Sequence, residues 1–136
     1  MNYDLKNPKW ETTVYAVLAA NKFKKSHTLK ERKEESKKIM EKYDDRIPIV
    51  IFKDDKCKNL SDINKNKFLA PTDLTLAQFL CVIRKRIELD EAQALFIFVD
   101  ESTLAASSQT IGTLYQNHKD EDGFLYMIYC SENVFG

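Results

Sequence analysis

The sequence predicts an α+β fold, a mixed sheet wrapped around one main helix, and three observations carry that prediction. Three apolar runs, Ile47–Phe52, Ala94–Val99 and Phe124–Cys130, are rich in β-branched and aromatic residues and too short to read as helices. One well-formed amphipathic helix, opened by the capping box Thr75-Leu-Ala-Gln78, lies between the first and second of them. At 136 residues, 43% hydrophobic and 31% charged, the chain is long enough for one core and too apolar to stay disordered.

Taken in order, the elements begin at Asn7-Pro8, where Asn suits an N-cap and Pro the first helical position. Trp10, Val14, Val17, Leu18 and Asn21 follow at helical spacing, while β-branched Thr12, Thr13 and Val14 keep a strand open as the alternative. A capping box at Thr28-Leu-Lys-Glu31 opens a polar helix over about residues 29–43. Its apolar anchors are Ile39, Met40 and Tyr43, so it is expected to lie on the outside with one narrow contact stripe.

Ile47–Phe52 is then a strand, and Pro48 predicts an edge or first-residue position for it. A charged turn (54–59) and a basic stretch (Asn64–Lys67) lead to a short strand, Phe68–Ala70. The main helix follows to about Ile87. Leu74 and Phe79 staple its start, and Leu76, Phe79, Leu80, Ile83 and Ile87 form its buried face. Ala94–Val99 is apolar throughout and reads as a central strand. A Ser/Thr-rich loop, a short helical turn over 111–116 and the Phe124–Cys130 strand complete the chain. With the leading helices set aside, this is the order of a β-grasp, the ubiquitin-like architecture, with Ile47–Phe52 and Phe124–Cys130 paired at the sheet centre. The expected organisation is an N-terminal extension (1–28), a ubiquitin-like domain with its leading helix (29–131) and a tail (132–136).

Net charge is zero, but residues 1–86 hold 20 Lys/Arg against 12 Asp/Glu, and residues 87–136 hold 1 against 9. A basic half of this kind suits acidic peptides, anionic lipid or nucleic acid, or is simply a solvated surface. Few aromatics accompany the basic helix, which argues against nucleic acid. No run approaches the ~18 apolar residues of a membrane span. Val14–Ala20 follows Glu11 without a strong basic segment and does not read as a secretory leader. Three cysteines without a C-x-x-C pair point to a reducing compartment. Cys57, Cys81 and Cys130 with His27 and His118 show neither a thiol-hydrolase signature nor metal-ligand spacing, and no Gly-rich phosphate loop is present. The sequence therefore predicts no catalytic residue, no metal and no cofactor. Cys81 and Cys130 read as packed apolar thiols.

The last residue, Gly136, has no side chain to obstruct an active-site channel. That suits a tail whose carboxylate must thread a narrow site and be joined to an amine, although a glycine there by chance is a simple alternative.

Several stretches, in order, resemble the autophagy-related protein 8 family, which includes microtubule-associated protein light chain 3 and the GABA type A receptor-associated protein. These are Tyr43-Asp-Asp-Arg-Ile-Pro-Ile-Val50, Lys67-Phe-Leu-Ala-Pro-Thr-Asp-Leu-Thr75, Ile83-Arg-Lys-Arg-Ile87, Ala94–Val99, Lys119-Asp-Glu-Asp-Gly-Phe-Leu-Tyr-Met127 and Val134-Phe-Gly136. The likeness covers roughly Leu29 to Gly136. Asp44 stands where that family often has proline and Ala70 where valine is usual, and the segment up to about Lys25 is longer than usual.

The resemblance implies a non-enzymatic modifier, conjugated through Gly136 to phosphatidylethanolamine, that acts in autophagosome formation. It would be cytoplasmic, and on the autophagosomal membrane once lipid-conjugated. Its implied partners are activating and conjugating enzymes, a processing or delipidating cysteine protease, and cargo receptors or adaptors with an aromatic-x-x-aliphatic motif. The resemblance places the pocket for the motif's aromatic residue at Ile39, Pro48, Val50, Lys67, Leu69 and Phe124, with Glu35 on its rim. The aliphatic pocket falls at Phe68, Pro71, Leu74, Phe79, Val82 and Ile83. Arg46, Lys67 and Arg86 would meet the peptide's carboxylates. Plain core duty is the alternative for the apolar members. Lys67-Phe-Leu-Ala70 is plausible as an edge strand to which an extended peptide adds. Tyr15-Ala-Val-Leu18 fits the bound motif itself, with burial on the domain as the alternative. A non-conjugated peptide-binding adaptor in membrane trafficking is the second reading of the whole chain.

Overall fold

The computed structural model describes residues 24–54, 57, 59–90, 92–99 and 103–131. The expected element at Asn7–Asn21, the Tyr15–Leu18 motif and Gly136 lie outside these residues. Both capping boxes close. The Thr28 hydroxyl accepts from the Glu31 amide and the Glu31 carboxylate from the Thr28 amide, opening α1 (Leu29–Lys42). Thr75 and Gln78 make the same reciprocal pair and open α2 (Leu76–Arg86). Each box satisfies helix N–H groups that have no intrahelical partner. Past the α2 C-cap at Ile87, Glu88 takes φ 54° and the Leu89 N–H reaches back to the Arg84 carbonyl, the backbone signature of a Schellman motif. The expected 111–116 turn is a full helix, α3 (Ile111–His118), capped by Thr110.

Among the described residues the sheet has five strands, β1 (Arg46–Lys53), β2 (Lys67–Pro71), β3 (Phe96–Val99), β4 (Thr103–Leu104) and β5 (Leu125–Cys130), in the order β2-β1-β5-β3-β4. β1 and β5 pair in parallel at its centre, Ile49 opposite Leu125, as the two apolar runs predict; the other pairs are antiparallel. Parallel neighbours need a long crossover. Within it, α2 packs on one face: Phe79, Ile83 and Ile87 bury against Ile47, Ile49 and Ile51 of β1, Phe68 and Ala70 of β2, and Leu125, Met127 and Tyr129 of β5. Because side chains alternate along a strand, Val50, Phe52 and Leu69 point to the opposite face, where Ile39 of α1 covers them with Phe124. The result is the predicted β-grasp with α1 laid on the sheet's outer face.

Several expectations are corrected. β1 is an interior strand despite Pro48. The Ile51 N–H donates to the Asn66 carbonyl, so alternation turns residue 48 toward β5, and the β1–β5 register starts only at Ile49. The ring's missing N–H thus falls outside both ladders. β3 sits next to the edge rather than centrally, its outer residues Phe96 and Phe98 half-exposed, and the two-residue β4 caps it without any signal in the sequence. Leu80 is only half-buried and Cys81 is exposed. The contact stripe of α1 is Arg32, Ser36 and Ile39, two of them polar; Met40 and Tyr43 are only half-buried.

Candidate functional site

Among the described residues, β2 has β1 on one side and no strand on the other. Since residues 66, 68 and 70 face β1, the backbone N–H and C=O of Leu69 point outward along the sheet edge. The side chains of β2 meanwhile divide between two clusters, one on each face.

On the α1 face, Ile39, Val50, Leu69 and Phe124 meet in one buried cluster, with half-buried Tyr43 and Tyr126 packed against it. These are four of the six residues expected around the aromatic pocket. Pro48 and Lys67 are buried, and strand alternation puts them on the same face. Phe52 belongs to the cluster too; the signal for it was its position two residues beyond Val50 in a period-2 strand. Glu35 is half-buried, with its Oε1 3.5 Å from Lys67 Nζ. Lys67, which the resemblance also sets to meet a peptide carboxylate, is 2% exposed. Burial pushes its ammonium below its ordinary pKa, against the opposing pull of Glu35.

On the other face, Phe68, Leu74, Phe79 and Ile83 belong to the main core, and half-buried Val82 packs against it. Phe68 and Phe79 meet edge to face, ring centroids 5.7 Å apart. These four are core residues, while Pro71 and Val82 are half-buried and Arg86 is exposed, its guanidinium 5.9 Å from the Phe68 ring. Half-buried Arg46 stands opposite Pro71 in the β1–β2 register. The turn carrying Leu74 is stitched to α3: the Ile111 N–H donates to the Leu74 carbonyl and the Gly112 N–H to the Thr72 carbonyl. A β-carbon at Gly112 would lie 2.9 Å from that Thr72 oxygen, so glycine permits this approach.

What holds α1 on the sheet is polar, and sequence reasoning missed it. The Asp122 side chain is fully buried and accepts from Arg32 Nη1 at 2.7 Å, from the Tyr126 hydroxyl at 2.6 Å and from the Phe124 amide at 2.9 Å. Ser36 donates to the Asp122 carbonyl, and Gly123, at φ 93°, brings its backbone so close that a β-carbon would meet Ser36 Oγ at 2.5 Å. Burial and the bond to Asp122 push the Tyr126 phenol far above its ordinary pKa. Although burial opposes it, the bond to Asp122 keeps the Arg32 guanidinium above its own. The only sequence trace of this network is the i, i+4, i+7 spacing of Arg32, Ser36 and Ile39.

At the edge of the same network, Lys24 Nζ pairs with Asp120 at 2.7 Å and lies 4.5 Å from the Tyr126 ring centroid. Burial alone would raise the Asp120 carboxyl, but Lys24, the local backbone and Arg32 hold it below its ordinary value of 3.8. A carboxyl lowered in the folded state stabilises above its unfolded pKa and loses that contribution as pH falls through the folded one. Stability should therefore fall as pH drops below 3.8, and Asp120→Asn should make that fall shallower. Urea unfolding midpoints across the acid range measure it.

Cys57 and Cys130 are buried, and burial, with Cys57 and Asp54 nearby, pushes the Cys130 thiol up to about 12. Such a thiol is inert at neutral pH. Among the described residues no group of three or more His, Cys, Asp or Glu is placed to hold a metal, and no helix is long and apolar enough to cross a membrane.

A family model described as autophagy protein Atg8, ubiquitin-like, matches residues 31–136. Autophagy-related protein 8B of Oryza sativa subsp. indica is 47% identical over 119 residues, 88% of this chain and 98% of that protein. Autophagy-related protein 8 of Cochliobolus heterostrophus is 48% identical over 116 residues, 85% of this chain and 96% of that one. The crystal structure of Trypanosoma brucei ATG8 superposes with a TM-score of 0.75 at 40% identity, covering 82% of this chain and 94% of the other.

Proposed function

Because this chain belongs to the Atg8 family of ubiquitin-like autophagy proteins, we propose that it is a modifier rather than an enzyme, joined through Gly136 to phosphatidylethanolamine. Activating and conjugating enzymes would handle the 132–136 tail, a cysteine protease would trim or release it, and the lipid would hold the 29–131 domain on the autophagosomal membrane. There the domain receives cargo receptors bearing an aromatic-x-x-aliphatic motif. The observation that carries this reading is the outer edge of β2, where the Leu69 backbone faces outward and an apolar cluster stands on each side. A peptide strand added at that edge gains main-chain hydrogen bonds. Its alternate side chains are sorted toward Ile39, Val50, Leu69 and Phe124 on one face and toward Pro71, Leu74 and Val82 on the other. Arg46 and Arg86, half-buried and exposed, would meet acidic neighbours of the motif.

Gly136→Ala tests the conjugation step. Its β-carbon would crowd the carboxylate in the activating enzyme's channel while leaving the domain folded. Incubation with activating and conjugating enzymes, ATP and phosphatidylethanolamine vesicles should yield lipid-linked product from the parent chain and none from the variant. Equal product from both would end the modifier reading. A variant that keeps all its cellular activity would favour the non-conjugated adaptor.

A further inference from the structure

We propose that the loop after β1 is a clamp that fixes the point from which the C-terminal tail leaves the domain. The inference rests on the conjugation reading, because that exit point matters only if Gly136 has to reach an active site. The clamp closes on Ser131, one residue past the end of β5, which is 3% exposed. The Ser131 N–H donates to Cys57 Sγ at 3.1 Å, Ser131 Oγ and Cys57 Sγ share a hydrogen bond of 3.0 Å, and Ser131 Oγ donates to Asn59 Oδ1 at 3.4 Å. The loop is itself held down by Cys57, Leu60 and Ile63, all buried in the main core. It is also tied along the same strand: the Asp54 N–H donates to the Tyr129 carbonyl at 2.9 Å and the Tyr129 hydroxyl to the Ser61 carbonyl at 2.6 Å.

These bonds have no fold-level necessity at Ser131. The β5 ladders end at Cys130 on one side and Tyr129 on the other, and a serine beyond them would ordinarily be solvated. Instead its amide and hydroxyl are paired away from water, as buried polar groups require. The chain is thereby fixed up to residue 131, five residues before Gly136. Five extended residues span about 17 Å, so an enzyme acting on Gly136 must bring its catalytic group within that reach of Ser131. Cys57 and Asn59 are positioning residues in this account. They touch neither substrate nor reacting atoms, and they act through the length and exit point of the tail.

The test shortens the tail and then opens the clamp. Deleting Asn133 from the full-length protein should slow lipid attachment at least about tenfold. Adding Cys57→Ala to the deletion should return about threefold or more of that loss, because the chain is then no longer pinned at Ser131. Cys57→Ser, which retains an acceptor, should restore less, and Ile111→Val, a core truncation on α3, should restore nothing although it also loosens the fold. Hydrogen exchange at the Ser131 amide should be about tenfold faster in Cys57→Ala than in the parent chain, the scale of losing one or two net hydrogen bonds. Unchanged exchange, or no recovery of the shortened tail, overturns the clamp. If the parent chain is not lipid-linked at all, the conjugation reading fails, and the exchange rate still decides whether Cys57 holds Ser131.

Discussion

Replacing Arg32 with alanine is expected to lower stability by about 3–5 kcal/mol, the cost of leaving one member of a buried ion pair unpaired. Asp122 has no solvent-exposed side-chain surface, and Arg32 is its only cationic hydrogen-bond partner among the described residues. The Tyr126 hydroxyl and the Phe124 amide would remain on the carboxylate but bring no charge. Replacing both members, as Arg32→Met with Asp122→Asn, should cost less than the sum of the single changes, since no buried charge is then stranded. Urea unfolding of the two single variants and the double variant measures the cycle. A loss under about 1 kcal/mol for Arg32→Ala would mean that the pair is solvated and that α1 is held by Ile39 packing and the Ser36 bond instead. The functional consequence follows from geometry. The same carboxylate fixes Phe124 and, through Arg32, the helix carrying Ile39, so loosening it should weaken peptide binding without altering any residue of the binding edge.

Leu69→Ala is expected to cost at least ~2 kcal/mol of affinity for an acidic aromatic-x-x-aliphatic peptide, roughly thirtyfold. Leu69 holds the outward-facing backbone of the edge strand and packs between Ile39, Val50 and Phe124. Because burying a leucine also stabilises the domain, by about 2–5 kcal/mol in truncation series, binding has to be measured where the variant remains folded. The loss should persist at all salt concentrations. Arg86→Ala should behave differently: it is exposed, so its smaller deficit should shrink as salt screens the attraction. Lys67 is buried beside Glu35, so salt should screen its charge far less than that of Arg86. If neither Leu69→Ala nor Arg86→Ala weakens binding while both fold, the peptide docks elsewhere.

Most of the site's apolar members were legible because they lie on strands and helices whose periodicity shows in the sequence. Val50 and Leu69 share a face through the two-residue repeat, and Phe79 and Ile83 share one through the helical repeat. Their assignment to a peptide site, however, came from likeness to a family and not from periodicity. The polar support was not legible. Arg32 and Ser36 look like ordinary residues of a charged helix, and only the approach of Asp122 from the far end of the chain makes them buried. The Cys57–Ser131 contact, spanning 74 positions, leaves no local trace either.

What the sequence by itself determined is whatever depends on neighbours within one turn or one pleat: the two capping boxes, the type and order of the helices and strands β1, β2, β3 and β5, and the division of apolar residues between faces. These follow from hydrogen bonds three or four residues apart and from side-chain periods of 3.6 and 2. Only the tertiary structure decided which strand lies beside which. On that depend the interior position of Pro48, the near-edge position of β3, the existence of β4, and the burial of Lys67 and Arg32. The reason is that burial belongs to a pair of surfaces. Whether a proline, a lysine or an arginine can sit inside depends on the groups brought against it from elsewhere in the chain, and no local pattern encodes those groups.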